Sequence, residues 1–214
     1  MEKSLSVLLI NGSPHKEGCT HTALSEVARN LEEAGIKTTE LHIGPGAIHQ
    51  CTACKMCLET GWCIFKTDKV NEAIELLKQS DGLVVGSPVF YAGPNGGLTS
   101  FLDRMFFLKS IHYRLKPAAA VVSCRRGGAS ATFDRLNKYF TISSMPVVSS
   151  QYWNAVHGTT PAEVRQDTEG MQIMRTLGRN MAWLIKSIDA AKNIVPEPEP
   201  EPWTPTNFIR DLSE

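Results

Sequence analysis

Four closely spaced cysteines are the residues of this sequence whose types and spacing point most directly to chemistry. The chain has six cysteines in 214 residues, and four of them follow the pattern Cys51-x2-Cys54-x2-Cys57-x5-Cys63. Three thiolates at successive CxxC steps are typical of segments that hold an iron–sulfur cluster. The fourth cysteine, six positions further on and beyond Gly61, is placed to close around the same cluster.

Two other interpretations of the cysteine segment stay open. Zinc sites usually have two separated pairs of ligands, so three cysteines at successive steps favour zinc less. Thiols without any metal, reactive or structural, are the third interpretation. A disulfide framework is not expected, because the sequence carries no secretory signal. Cys124 stands apart from the segment and is predicted to be a buried thiol at the end of a strand.

A second candidate site is the first loop, residues 11–18, which lies between an apolar run and an amphipathic stretch. Such a loop places free backbone N–H groups and the positive end of a helix dipole where an anion binds. It is not a Walker A motif, since five residues separate Gly12 from Gly18 and Cys19 replaces the lysine. It does not match GxGxxG either. The hydroxyls that favour a bound monophosphate are those of Ser13, Thr20 and Thr22. The alternative is a tight turn with Thr20 as the helix N-cap.

Two further loops follow predicted strands. The second loop, residues 87–97, has two prolines and three glycines, which fix a chain path along which backbone can approach a flat ligand. Phe90 and Tyr91 can pack on a ring system, although aromatic residues after a strand usually belong to the core. The third loop, residues 123–128, offers backbone amides and two arginines where an anionic ring needs positive charge.

Strands and helices alternate along the rest of the chain. Short apolar runs predict strands buried on both faces, and apolar residues at helical spacing predict amphipathic helices. The predicted strands are 5–10, 37–43, 82–86, 118–123 and 146–150. The predicted helices are 20–34, 68–79, 98–108, 129–140 and 161–193.

This alternation predicts an α/β fold, a three-layer α/β/α sandwich with a five-stranded parallel sheet. Folds of this kind bind ligands at the carboxyl ends of their strands, so the three loops are expected at one edge of the sheet. We expect one domain over residues 1–193, with a cysteine-rich insertion at 44–67. Residues 194–214 are predicted to be a Pro/Glu-rich, extended C-terminal tail.

Taken together, the three loops resemble those of a known family. NGSPHKEGCT, GSPVFYAGPNGGLTSFLDR and VVSCRRGGA occur in order at three predicted strand ends. They are similar to the loops of the flavodoxin-like NAD(P)H-dependent FMN reductases, and the cysteine spacing is similar to that of the iron–sulfur flavoprotein branch. The resemblance covers about residues 4–190. It implies a flavodoxin-like fold with the strand order 2-1-3-4-5 and FMN as cofactor.

The resemblance also implies a role for each loop: the first holds the FMN phosphate, the second lines the isoalloxazine, and the third lies beside its pyrimidine edge. The implied cofactor-binding residues are Ser13, His15, Lys16, Gly18, Cys19 and Thr20, then Pro88, Val89, Phe90, Tyr91, Ala92 and Gly93, and finally Ser123, Arg125, Gly127 and Gly128. The family often has asparagine where Cys19 stands, and a thiol is a poorer donor. The implied ligands of a 4Fe–4S cluster are Cys51, Cys54, Cys57 and Cys63.

The function implied is electron transfer, with NAD(P)H as co-substrate and a small-molecule or redox-protein acceptor. Because FMN carries the chemistry, no catalytic side chain is expected. One alternative is an electron-transfer flavoprotein that is reduced by ferredoxin and has no nicotinamide activity; another is a zinc-bearing interaction module. The resemblance further implies a homodimer or homotetramer, since one such subunit leaves the flavin ring exposed.

The segment 151–158 is rich in aromatic residues with polar tips and allows two interpretations of equal weight. Trp153, Asn154 and His157 either approach the flavin or belong to a packed loop whose polar side chains bind backbone.

Composition excludes several other classes of function. With 22 basic and 22 acidic side chains the formal net charge is zero, which argues against a nucleic-acid binder that relies on a basic excess. No apolar run approaches the roughly 20 residues needed to cross a bilayer. The N-terminus does not have the pattern of a signal peptide. We therefore expect a cytoplasmic protein without nucleic-acid or membrane partners.

Overall fold

A parallel β-sheet organises the chain, which a computed structural model describes for residues 4–109, 111–202, 204 and 206. Its strands are β1 (Ser6–Asn11), β2 (Lys37–His42), β3 (Gly82–Phe90), β4 (Gly93–Pro94), β5 (Ala118–Cys124) and β6 (Ala155–His157). Five of them are parallel, in the order β2-β1-β3-β5-β6, and the two-residue β4 pairs antiparallel with the end of β3.

Helices cover both faces of the sheet. They are α1 (Cys19–Glu33), α2 (Met56–Thr60), α3 (Val70–Gln79), α4 (Gly96–Phe107), α5 (Ala129–Ile142), α6 (Pro161–Gln166) and α7 (Thr168–Ala191), with a 3-10 turn at Ile111–Tyr113. One core lies between the sheet and α1 and α7, and the other between the sheet and α3, α4 and α5. Val7 and Leu9 of β1 face the first core, whereas Leu8 and Ile10 face the second. The continuous apolar run of β1 follows from this double burial.

The predicted fold class is confirmed. The five parallel strands have the predicted order, since β5 and β6 occupy the fourth and fifth positions along the sheet. The one addition is β4, which the sequence did not indicate.

The predicted fifth strand at 146–150 is wrong in its position. Val147 makes only an isolated bridge with Ala118, and the chain pairs regularly again at Ala155, opposite Val122. From Val147 to Ala155 the chain advances eight residues, whereas the paired stretch of β5, from Ala118 to Val122, advances only four. The additional residues form a bulge, which edge strands tolerate because one side has no partner strand.

The third strand is longer than predicted because it continues into a hairpin. Tyr91 and Ala92 have φ values of 49° and 59°, the left-handed conformation that a type I′ turn requires at both central residues. This turn lets Gly93 pair back with Phe90. Asn-Gly or Asp-Gly is the usual signal for such a turn, so the Tyr91-Ala92 pair did not predict it.

The predicted helix at 161–193 is divided in two at Asp167. This residue ends α6 and caps α7, because its Oδ1 accepts the backbone N–H of Gly170 at 2.9 Å. Its Oδ2 accepts the N–H of His157 at 2.7 Å, which ties the start of α7 to the end of β6.

The predicted tail follows α7. Residues 196–202 carry no helix or strand, and Arg114 approaches Glu197 with 3.7 Å between charged atoms. Residues 203, 205 and 207–214 of the predicted tail lie outside the described residues, and the domain boundary at residue 193 stays a prediction. Among the helices of the described ranges, none is long and apolar enough to span a membrane.

The contact between α1 and α7 gives a stability prediction. A Cβ on Gly178 would lie 2.8 Å from Asn30 Cβ and 2.9 Å from the Val27 carbonyl oxygen. Overpacking costs about 1–3 kcal/mol, and the gain in helix propensity offsets about 1 kcal/mol. Because backbone blocks the new methyl group, we expect Gly178→Ala to lower the free energy of unfolding by up to about 2 kcal/mol net in urea denaturation.

Gly96→Ala is the matched control for this substitution. Gly96 lies at the start of α4, and a Cβ there would meet no atom within 4 Å. We expect its stability to equal or exceed that of the parent chain, and equal stability of the two variants would contradict the close packing of α1 on α7.

Candidate functional site

The carboxyl ends of β1, β3 and β5 carry the three loops that were predicted to bind a ligand. Because α1 and α4 lie on opposite faces of the sheet, the chain leaves β1 and β3 in opposite directions and a crevice opens between them. Thr20 Oγ1 and Ser123 Oγ are hydrogen-bonded at 2.8 Å, which joins the first loop to the third. A Cβ on Gly128 would lie 2.6 Å from Ala92 Cα, so the third loop also packs on the second. The structure therefore brings all three loops together.

The first loop leads into the first turn of α1. The first helical hydrogen bond runs from the Thr22 N–H to the Gly18 carbonyl at 3.0 Å, so the amides of Cys19, Thr20 and His21 precede it. The side chains of Ser13 and Thr20 are buried here, whereas His15 and Lys16 are exposed on the outer turn. Buried hydroxyls and helix-start amides together form the kind of cradle that binds a phosphate.

Cys19 is turned away from this cradle. Its Sγ lies 3.8 Å from the Gly158 carbonyl oxygen, to which the thiol donates. Burial raises the pKa of the Cys19 thiol, and the charge of Glu163 adds to that effect, so the thiol stays protonated near neutral pH. The group that Cys19 presents at the start of α1 is therefore its backbone amide, and its role toward a phosphate stays a prediction.

Asn11, at the end of β1, holds the first loop in shape. Its side chain is completely buried; Oδ1 accepts the Ser13 N–H at 3.1 Å, and Nδ2 donates to the Lys16 carbonyl at 3.1 Å and to Glu40 Oε1 at 2.9 Å. His42 Nε2 donates to the Ser13 carbonyl at 2.8 Å. The sequence did not indicate that these residues support the loop. Their only signal is that Glu40 and His42 lie on the strand predicted to neighbour β1.

The other two loops present a mixture of buried and exposed groups. The residues predicted for the second loop lie along the end of β3 and its hairpin with β4: Pro88, Val89 and Gly93 are half-buried, and Phe90, Tyr91 and Ala92 are exposed. In the third loop Ser123 is buried, Gly128 is half-buried, and Arg125 and Gly127 are exposed. Their roles toward a bound ring stay predictions.

A pocket of about 380 Å³ borders the third loop. Its lining includes Arg126, Gly127, Gly128, Phe133, Trp153 and His157. His157 Nδ1 lies 3.4 Å from Asp167 Oδ2, while Asn154 is buried and neither atom of its side-chain amide has a partner within the described residues. Trp153 and His157 thus lie next to the predicted flavin loops. The packed-loop interpretation required the Asn154 side chain to bind backbone. Within the described residues it does not.

The four spaced cysteines surround one small cavity of about 20 Å³. Cys57 packs into the core at α3 and α4, whereas Cys54 is exposed. Burial raises the pKa of the Cys57 thiol, and the neighbouring sulfurs of Cys51, Cys63 and Cys54 raise it further. All four cysteines line the same cavity, so the four thiols form one site. Cys124, as predicted, is a buried thiol at the end of β5.

The donor set of this site is four thiols, a ligand type that both zinc and iron–sulfur clusters take. Within the part of the chain that the structure describes, no three His, Cys, Asp or Glu side chains are arranged to hold one metal ion. The cluster itself stays a prediction.

Two helices hold the cysteine segment through side chains that the sequence analysis missed. Asn71 of α3 accepts the Cys63 N–H through Oδ1 at 2.8 Å and donates to the Cys63 carbonyl at 2.9 Å. Arg104 of α4 donates from Nε to Cys63 Sγ at 3.1 Å. Ala53 and Lys55 have positive φ on either side of Cys54, a backbone shape that turns successive amides toward a concavity.

Comparisons with known proteins agree with this geometry. Residues 5–160 match the model of a family described as NADPH-dependent FMN reductase. An iron–sulfur flavoprotein of Methanocaldococcus jannaschii is 31% identical over 192 residues, which cover 86% of this chain and 99% of that protein.

Solved structures share the fold. RosB with bound 8-demethyl-8-formylriboflavin-5'-phosphate gives a TM-score of 0.68 at 16% identity, covering 99% of this chain and 98% of that one. The WrbA-like flavodoxin from Agrobacterium tumefaciens gives 0.59 at 16% identity, covering 87% and 99%. At such identities these likenesses show the fold alone.

The support of the first loop by Asn11 gives a binding prediction. In Asn11→Ala the Ser13 N–H and the Lys16 carbonyl lose their partners, which costs about 1–3 kcal/mol. We expect the affinity for FMN to fall about five- to a hundredfold. Quenching of FMN fluorescence on titration with apoprotein measures this.

Asn180→Ala serves as the control, because Asn180, on α7, donates to the Ser149 carbonyl and not to the first loop. Its affinity for FMN should equal that of the parent chain. Unchanged binding in Asn11→Ala would show that the loop keeps its shape without this residue.

Proposed function

The chain belongs to the NADPH-dependent FMN reductase family, in its iron–sulfur flavoprotein branch, and we propose that it oxidises NADH or NADPH through bound FMN. The electrons would pass on to an acceptor, and Cys51, Cys54, Cys57 and Cys63 would hold a 4Fe–4S cluster that supplies one-electron chemistry on that side. The observation that carries this proposal is the convergence of the three loops at one edge of the sheet, joined by the contact of Thr20 with Ser123.

The residues of the first loop fit the phosphate end of FMN. The hydroxyls of Ser13 and Thr20 and the first amides of α1 offer donors to a dianion that is bound and not transferred. Gly18 keeps the loop close, because a Cβ there would lie 3.1 Å from His15 Cβ. The structural relative RosB has a bound riboflavin phosphate derivative, which supports a flavin phosphate as the ligand.

The second and third loops fit the ring of FMN, which supplies the hydride- and electron-transfer chemistry when bound. Gly128 has a φ of 85° and lies against Ala92, so the two loops form one continuous wall that a larger residue would disrupt. Arg125 and Arg126 place positive charge at the end of β5, where it favours negative charge on a reduced ring.

The pocket beside the third loop is the proposed site at which the nicotinamide nucleotide approaches. Its volume of about 380 Å³ lies in the range of about 300–1,000 Å³ that small-molecule sites occupy. Trp153 offers a planar surface for stacking. Arg126 and the start of α5 both line the pocket and can together bind a phosphate.

The surface of the cysteine segment favours a second candidate function, an electron-transfer flavoprotein that is reduced by ferredoxin. Four exposed apolar side chains suited to docking a redox protein are grouped there: Met56, Leu58, Trp62 and Ile64. A redox-protein acceptor is compatible with either function. A homodimer or homotetramer stays a prediction, which the fully exposed Tyr91 at the hairpin tip supports.

Steady-state oxidation of NADH and NADPH by the FMN-loaded protein, with an artificial acceptor, tests the reductase. We expect turnover with at least one nucleotide, and Trp153→Ala should raise its KM several-fold while FMN affinity is kept. Trp183→Ala, which changes an exposed tryptophan on α7, is the control and should leave KM unchanged. No turnover with either nucleotide would overturn the reductase and leave the ferredoxin-fed carrier.

Iron and acid-labile sulfide analysis after anaerobic purification tests the cluster. About four iron and four sulfide per chain are expected, because all four thiolates are ligands. Cys57→Ser should lose most of the iron, since Cys57 lies at the buried side of the cavity. Cys124→Ser, at the distant end of β5, should retain it. Iron near zero in the parent chain would rule out the cluster.

A further inference from the structure

A buried arginine lies against the four-cysteine site. The side chain of Arg104 is 1% exposed and forms an ion pair with Asp68, which is 7% exposed. Its Nε donates to Cys63 Sγ at 3.1 Å, its Nη1 to the His49 carbonyl at 3.4 Å, and its Nη2 to the Phe65 carbonyl at 3.2 Å. All of these partners belong to the stretch from residue 49 to residue 68.

This arrangement fixes both ends of the segment that contains the cysteines. His49 precedes the first cysteine, Phe65 follows the last, and one planar guanidinium contacts both from α4. The rings of His49 and Phe65 stack with centroids 4.5 Å apart, and the guanidinium lies 5.2 Å from the Phe65 ring. A buried charge is costly unless it is paired and hydrogen-bonded, so the arginine and the segment depend on each other.

The contact with Cys63 also has an electrostatic consequence. Hydrogen bonds to the ligand sulfurs and the net charge near the site are the levers that set the potential of an iron–sulfur cluster. Reduction adds one electron, and hence one negative charge, which a nearby cation stabilises. Asp68 opposes this effect because its carboxylate neutralises Arg104.

We propose that Arg104 is the positioning residue of the four-cysteine site. It holds Cys63 and both ends of the segment in place and, opposed by Asp68, determines how readily the cluster is reduced. This inference rests on the cluster proposed above. The step concerned is the entry of one electron into the oxidised cluster, and dithionite supplies that electron in the experiment below.

Two substitutions with opposite expected signs test the inference. Arg104→Met removes the charge and the N–H donors, whereas Asp68→Asn keeps an acceptor of similar shape and removes only the opposing charge. Each protein is reconstituted anaerobically with iron and sulfide and titrated with dithionite while EPR follows the reduced cluster.

At the potential where the parent chain is half reduced, the ratio of reduced to oxidised cluster should fall about tenfold in Arg104→Met. It should rise in Asp68→Asn. A tenfold change corresponds to about 59 mV for one electron. A residue that only packed would alter iron content without moving the midpoint in opposite directions.

Arg135→Met is the matched control. Arg135 pairs with Asp103, the neighbour of Arg104, and lies over the Tyr139 ring at 4.4 Å, but its partners are on α4 and α5 and not in the cysteine segment. Its cluster should titrate as in the parent chain.

Each outcome decides the matter. Full iron content and an unchanged midpoint in Arg104→Met would overturn the inference. If that variant fails to fold by circular dichroism, Asp68→Asn decides, and an unchanged or lowered midpoint there overturns it. A parent chain without iron and sulfide overturns the cluster and this inference together. A cluster whose midpoint potential neither substitution changes overturns the inference alone.

Discussion

The position of β1 between β2 and β3 is the constraint on which the rest of the structure depends. Both faces of β1 and β3 are covered by helices, and each of the two has a partner strand on either side, so their backbone is satisfied within the sheet and only their ends remain free for other partners. Because the chain leaves β1 and β3 toward opposite faces, a crevice must open where they end. The loops that fit FMN lie at this crevice as a result of the topology, and the hydrogen bond of Thr20 with Ser123 closes it on the β5 side.

Buried polar side chains that are not themselves predicted ligands hold both sites in shape. Asn11 holds the first loop through three hydrogen bonds, and Arg104 holds the cysteine segment through the two stretches of backbone that flank it. In each case the supporting residue lies on a regular element, and several of the residues it supports do not: Ser13 and Lys16 in the first loop, and Cys63 in the cysteine segment. Rigid strands and helices thereby position loops that have little regular structure of their own.

The sequence predicted what depends on local pattern. The apolar runs located β1, β3 and β5, and the glycines and hydroxyls of the loops located the candidate site. The sequence did not predict β6. A bulge separates β6 from the apolar residues of the predicted strand at 146–150, so those residues did not mark its position. Nor did the sequence predict the hairpin at Tyr91 or the role of Arg104. An unusual turn and a buried ion pair between distant residues depend on tertiary contacts that no local spacing encodes.

In the proposed function, electrons enter at FMN and leave through the four-cysteine site. An anaerobic absorption spectrum recorded during addition of NADH or NADPH to the reconstituted protein tests this route. We expect loss of the flavin absorption, followed by bleaching of the broad visible absorption of the cluster. A spectrum that neither nucleotide changes, but that dithionite bleaches, would contradict entry from the nicotinamide. A reduced flavin beside a cluster that stays oxidised while dithionite still bleaches it would contradict the exit route.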